Sequence, residues 1–170
     1  MTLSMYAASV PVFLRALTQL SAILGKGAAH AAAKKFDPAV LVNARLAPDM
    51  LPLSRQIQIA CDHARGAAAR LAGQERPPVP DNETTLEELQ ARIAATLAYL
   101  RSFKPEQIDA SEARDINLPL RTGEVRTKGE PYLLYFALPN FWFHVTTAYA
   151  ILRHNGVDIG KTDFIGALPD

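Results

Sequence analysis

The chain has 170 residues and a mass of 18.5 kDa, the usual size of one domain with one core, so residues 1–170 read as a single domain. Hydrophobic residues make up 49% and charged residues 21%, which excludes a wholly disordered chain. Eighteen Lys and Arg against seventeen Asp and Glu leave a formal charge of +1, too small for a global field that draws in a phosphate backbone, so nucleic acid is not expected as a partner. The single cysteine, Cys61, rules out an internal disulfide and a thiolate zinc cluster and fits a reducing, cytoplasmic compartment.

Met1 to Leu14 lacks the positive segment that opens a secretory signal, and Pro11 and Arg15 interrupt its apolar run, so export is not expected. Residues Ser4 to Lys26 place Met5, Val10, Phe13, Leu14, Leu17, Leu20 and Leu24 at helical spacing, and Gly25 and Gly27 predict the end of this first helix. Its polar side, with Ser9, Arg15, Thr18 and Gln19, is thin for a face in water, which predicts a two-fold homodimer through it. A short helix is expected over Ala28 to Lys35, and Asp37-Pro38 opens another with an N-cap and a proline at the first helical position. Leu41 to Pro52, with two prolines, reads as a long structured connection.

From Leu53 the positions Leu53, Ile57, Ala60, Cys61, Ala64, Ala67, Ala68 and Leu71 share a face, and Gly73 with Pro77-Pro78 beyond predicts the stop of a second long helix. Cys61 on this small-residue face reads as a buried hydrophobe. Thr84 or Thr85, three residues before Glu87 or Glu88, forms a capping box that opens a third helix through Leu100, with Leu86, Leu89, Ile93, Leu97 and Leu100 inward. Between Asp115 and Lys128 the spacing turns to alternation, which predicts a two-stranded hairpin around Arg121-Thr122-Gly123-Glu124. Pro131 begins the last long helix, Asn155-Gly156 ends it, and Pro139 should bend or restart it because proline lacks an amide donor. Pro131 to Leu152 carries no formal charge over twenty-two residues, but Pro139, Asn140, His144, Thr146 and Thr147 in its middle argue for a buried central helix and against a membrane span.

The common nucleotide, serine-hydrolase and zinc-protease motifs are missing, so any site has to be assembled in space. Asn140 and His144, four apart, share one helix face, as two ligands or two pocket groups must. Phe141, Trp142, Phe143 and Tyr149 give them an apolar surround. The plainer reading of His144 is a buried imidazole satisfied by hydrogen bonds. Asp49, Gln56 and Gln58 are the polar groups around the start of the second helix and join Trp142 as pocket candidates. His63, beside Asp62, lies off that helix's strongest apolar face and reads foremost as a solvent-facing residue.

Four long helices, a long first connection and an extra element before the last helix resemble the DinB/YfiT-like bundle superfamily. More specifically, Met5 to Pro11, Asn43 to Met50, Leu138 to His144 and Arg153 to Gly156 resemble a bacterial family of domains of unknown function within it, over nearly the whole chain. The resemblance implies an all-α four-helix bundle with a small β-hairpin before the last helix. It also implies a divalent zinc or nickel ion held by three histidines, one from the second helix and an H-x-x-x-H pair from the last, and in some relatives a thiol-transferase activity. The pair here is Asn140 and His144, and an amide oxygen suits hard cations better than zinc or nickel. The third position falls among Gln58, Asp62 and His63. Three functions follow as expectations: foremost a small-molecule-binding bundle with a degenerate metal site, then a metal-dependent enzyme, then a structural or interaction protein acting as a dimer.

Overall fold

The computed structural model describes residues 3–120 and 123–168. Its architecture is mostly helical with one small antiparallel hairpin. Four long helices dominate: α1 (Val10–Lys34), α3 (Leu53–Leu71), α4 (Leu86–Arg101) and α7 (Leu138–His154). Short ones fill the connections: α2 (Ala39–Val42), α5 (Pro105–Ile108), α6 (Gly129–Tyr132) and α8 (Lys161–Ile165). The helix α3 packs against α7 on one side and α4 on the other, and α1 closes the arrangement against α4 and α7. Apolar faces of all four meet in one core, in which Phe13 and Phe141 make an edge-to-face pair at 4.8 Å.

The first helix is longer than its glycines predict. It runs unbroken through Gly25 and Gly27 to Lys34 and absorbs the separate helix expected from Ala28. A β-carbon on Gly27 would sit 3.2 Å from Leu152 Cδ2, so this residue lets α1 approach α7 closely and is a packing position rather than a stop. Its polar side is covered in part by the chain itself. Arg15 donates to the carbonyls of Ile165 and Ala167, and Lys26 pairs with Asp163, so α8 lies along it. Ser9 departs from the expectation of a polar-face residue: it is fully buried in the turn before α1, donating to the Met5 carbonyl at 2.6 Å.

The capping box resolves to Thr85 and Glu88: Glu88 N–H donates to Thr85 Oγ1 and Thr85 N–H to Glu88 Oε2, both near 3 Å. Strands β1 (Asp115–Leu120) and β2 (Gly123–Lys128) pair in the register Ile116 with Thr127 and Leu118 with Val125. Ile116 and Leu118 are buried while Val125 is exposed, so β1 supplies the hairpin's anchor to the helices. Of the predicted turn, Arg121 and Thr122 lie outside the described residues.

Beyond the hairpin, the chain runs helically from Gly129 to His154 with a change of register. One π-helical turn, Leu133–Ala137, separates α6 from α7 and closes with Leu138 N–H on the Leu133 carbonyl. Pro139 then occupies the first turn of α7, where its missing donor costs least. The proline thus marks a restart, and Asn140 Nδ2 donates to the Phe136 carbonyl at 2.7 Å. Tyr135 and Phe143, 79% and 57% exposed, give this segment a solvent-facing aromatic side that a buried central helix would not have. Among the described residues no helix is long and apolar enough to cross a membrane.

Arg92, on the inward side of α4 with its side chain 2% exposed, ties this frame together. It reaches Asp62 Oδ1 on α3 at 2.8 Å, and Asp81 Oδ1 and Glu83 Oε1 on the α3–α4 connection at 3.1 and 2.9 Å. Without Arg92, Asp62 keeps Arg76 and Asp81 keeps Arg55, but the largely buried Glu83 loses its guanidinium, and breaking a buried pair by removing one partner costs about 3–5 kcal/mol. Arg92→Met is therefore expected to destabilise the protein by about 3 kcal/mol or more in urea unfolding, whereas an exposed arginine change such as Arg101→Met should stay within about 0.5 kcal/mol.

Candidate functional site

One face of α3 presents Gln56, His63 and Arg70 at intervals of seven residues, which is two helical turns each, so their side chains line a single stripe. That stripe faces α7 and the π-helical turn. The buried Gln56 fixes its orientation by donating Nε2 to the Leu51 carbonyl at 3.0 Å, which turns Oε1 toward His144, 2.7 Å from Nδ1. A carbonyl oxygen only accepts, so His144 must carry its proton on Nδ1 and leave the Nε2 lone pair free.

His63 lies alongside, its ring stacked on that of His144 with centroids 5.8 Å apart and planes 18° from parallel, and the Phe136 ring meets its edge at 5.9 Å. Burial pushes His63 down from 6.5 to about 4, aided by His144 and the Arg70 guanidinium, and burial alone takes His144 to about 4. Both imidazoles are therefore neutral at physiological pH. His63 opens into a cleft of about 270 Å³ whose walls include Phe136, Leu118, Pro119 and Ile59, with Arg55, Arg70, Arg76, Asp62 and Asp81 as charged groups.

Of the residues singled out from sequence, Gln56, His63 and His144 come together here. Asn140 lies one turn before His144, half-buried, with its amide nitrogen engaged by the Phe136 carbonyl. Gln58 does not join them. Two residues from Gln56, it is rotated about 200° around the helix, accepting from Arg55 Nη1 and donating to Glu83 Oε2 on the opposite side of α3. The same geometry removes Trp142, which packs against Phe164 of α8 with centroids 5.9 Å apart. Asp49 is exposed in the α2–α3 connection. Among the described residues no three of His, Cys, Asp and Glu cluster closely enough to hold a metal ion.

Sequence reasoning missed Arg70 and Arg76. Arg70 carried a signal, the strict spacing of seven from Gln56 and His63. Arg76 carried none, because it sits in the irregular segment after α3 and reaches the cleft only through its bond to Asp62 at 2.8 Å. Cys61, fully buried on the α4 side of α3, is pushed up to about 12 by burial and is no nucleophile.

The fold and site define a mostly helical protein with a pair of neutral, partly buried histidines held between its second and last long helices. A family model described as a domain of unknown function, DUF1993, matches residues 5–165, and the chain belongs to that family. It is also similar to a solved structure, a DinB family member protein from Shewanella denitrificans, with 45% sequence identity and a TM-score of 0.91 over 97% of this chain and 93% of that one. No curated protein matches.

Two outcomes follow. Between pH 6.5 and 4 the unfolded chain takes up protons on His63 and His144 that the folded protein refuses, so stability falls with pH across that window and is unaffected by these groups above it. The melting temperature should therefore decline from pH 6.5 to 4, less steeply in a His63→Asn, His144→Asn double variant. Cys61 should resist a thiol reagent at pH 8 in the folded protein and react once in denaturant.

Proposed function

We propose that this protein is a small-molecule-binding member of its family, built on a four-helix bundle of the DinB/YfiT-like kind, whose histidine pair serves as an uncharged polar recognition point. The observation that carries this reading is the relay from the Leu51 carbonyl through Gln56 to His144, which fixes one tautomer and leaves Nε2 a bare acceptor on the ring stacked against His63. His63, beside that acceptor, opens into a cleft whose wall joins Phe136, Leu118 and Ile59 to charged groups, which suits a ligand that offers an N–H or O–H donor on a partly apolar body.

A metal-dependent enzyme is the second reading, and the same relay favours it, because metal-bound histidines usually donate their other N–H to a carbonyl or carboxylate. The donor set fits a resident zinc or nickel ion poorly. Two imidazoles are present, and the position of the third is Asn140, whose neutral amide oxygen suits hard cations better than zinc or nickel. Tetrahedral zinc asks for three protein ligands even in open catalytic sites.

Purified, tag-free protein decides between them. The binding reading expects substoichiometric zinc and nickel by elemental analysis and a melting temperature that a chelator leaves unchanged. A stoichiometric metal whose removal lowers the melting temperature through linkage would overturn it. Gln56→Leu should release the tautomer constraint and move the His144 ring-nitrogen chemical shifts, with His63 little affected.

A further inference from the structure

The arginines of the cleft and of the ion-pair network behind it outnumber the carboxylates that neutralise them. Arg55, Arg65, Arg76 and Arg92 surround Asp62, Asp81 and Glu83, and each of these carboxylates is already held by at least one guanidinium. Arg70 stands apart. No carboxylate among the described residues lies within ion-pair distance of it, and its polar contact is the Tyr132 hydroxyl, at 3.2 Å from Nη1, with the guanidinium 5.8 Å over the Tyr132 ring. A guanidinium has five N–H donors, so most of Arg70's donors remain unused by protein.

Gly66 shows that this placement is built in. It lies in the middle of α3, where glycine costs roughly 0.5–1 kcal/mol against alanine. A β-carbon there would come within 2.6 Å of Arg70 Nη1 and 3.9 Å of Arg76 Cδ. The missing side chain is the space into which Arg70 folds back against its own helix, with Arg76 beside it. Both arginines are near enough to His63 to depress its protonation, which places their charge at the edge of the histidine pair.

We propose that the cleft binds a small organic monocarboxylate, its carboxylate on Arg70 and Arg76 and its apolar body against Phe136, Leu118 and Ile59. A carboxylate matches the planar donor fork of an arginine. Asp62 and Asp81, which also line the cleft, would repel a dianion and so favour a single negative charge over a phosphate. The volume, about 270 Å³, suits a ligand the size of a substituted benzoate. This proposal rests on the small-molecule-binding reading and adds the charge and class of the ligand.

The test is a calorimetric and NMR titration of the full chain with benzoate, benzamide and inorganic phosphate. Benzoate should bind saturably, shifting the Arg70 and Arg76 side-chain N–H resonances and leaving that of the exposed Arg101 unmoved, while benzamide should not bind. Arg70→Gln should weaken benzoate tenfold or more. Gly66→Ala should do the same with the fold intact, because alanine favours the helix and its methyl group displaces only the arginine tip. Benzoate affinity unchanged in both variants, no saturable benzoate binding, or phosphate binding tighter than benzoate would overturn the proposal. Stoichiometric zinc together with arginine-dependent benzoate binding would support the carboxylate site while overturning the metal-free reading of the histidines.

Discussion

The Arg92 guanidinium, buried between α4 and α3, is the constraint on which the open side of the molecule depends. Its three carboxylate partners come from α3 and from the connection between the helices, and it also donates to the Pro80 carbonyl at 2.9 Å. Arg65 grips the Pro77 carbonyl in the same way at 3.0 Å. The segment 77–83, too rich in proline for regular structure, is thereby laid against two helices by charge-assisted hydrogen bonds. Once Asp62 and Asp81 are fixed, so is the wall of the cleft, and Asp62 in turn holds Arg76.

A second device acts on the other wall. The π-helical turn inserts one residue ahead of Pro139, which shifts the side chains on its N-terminal side around the helix axis relative to those of α7. Tyr132 and Phe136, stacked at 6.0 Å, thereby reach the Arg70 and His63 side while His144 keeps its bond to Gln56. Proline in the first turn of α7 and an asparagine bonding back to Phe136 settle the backbone groups that such an irregularity exposes.

α3 is the element where these devices meet, and its two sides differ in kind. His63 and Arg70 carry few compensating charges and line the cleft, with the buried Gln56 bonded to His144, whereas Gln58 and Arg65 are locked in hydrogen bonds and ion pairs toward α4 and the segment before it. A polar group with every donor and acceptor spent contributes to cohesion, and one with spare capacity is available to a ligand. His144 Nε2 and the unused donors of Arg70 belong to the second kind.

The sequence by itself determined the local elements: the capping box of α4, the alternation of the hairpin, the stop at Gly73, and the shared face of Asn140 and His144. Each depends on spacing within one segment, where helical or strand periodicity and backbone chemistry decide the outcome. Tertiary structure decided the rest. Gly25 and Gly27 read locally as a stop, but Leu152 from the far end of the chain needs the room at Gly27, and packing outweighs a propensity of about 1 kcal/mol. Gln56 and Gln58 are alike in sequence and are separated only by which helix each meets. Arg76 enters the cleft through a carboxylate fourteen residues away in sequence, and the five-residue α8 is too short to hold itself without α1 beside it. Contacts between residues remote in sequence leave no periodic trace, which is why the histidine pair was half legible and its arginine neighbours were not.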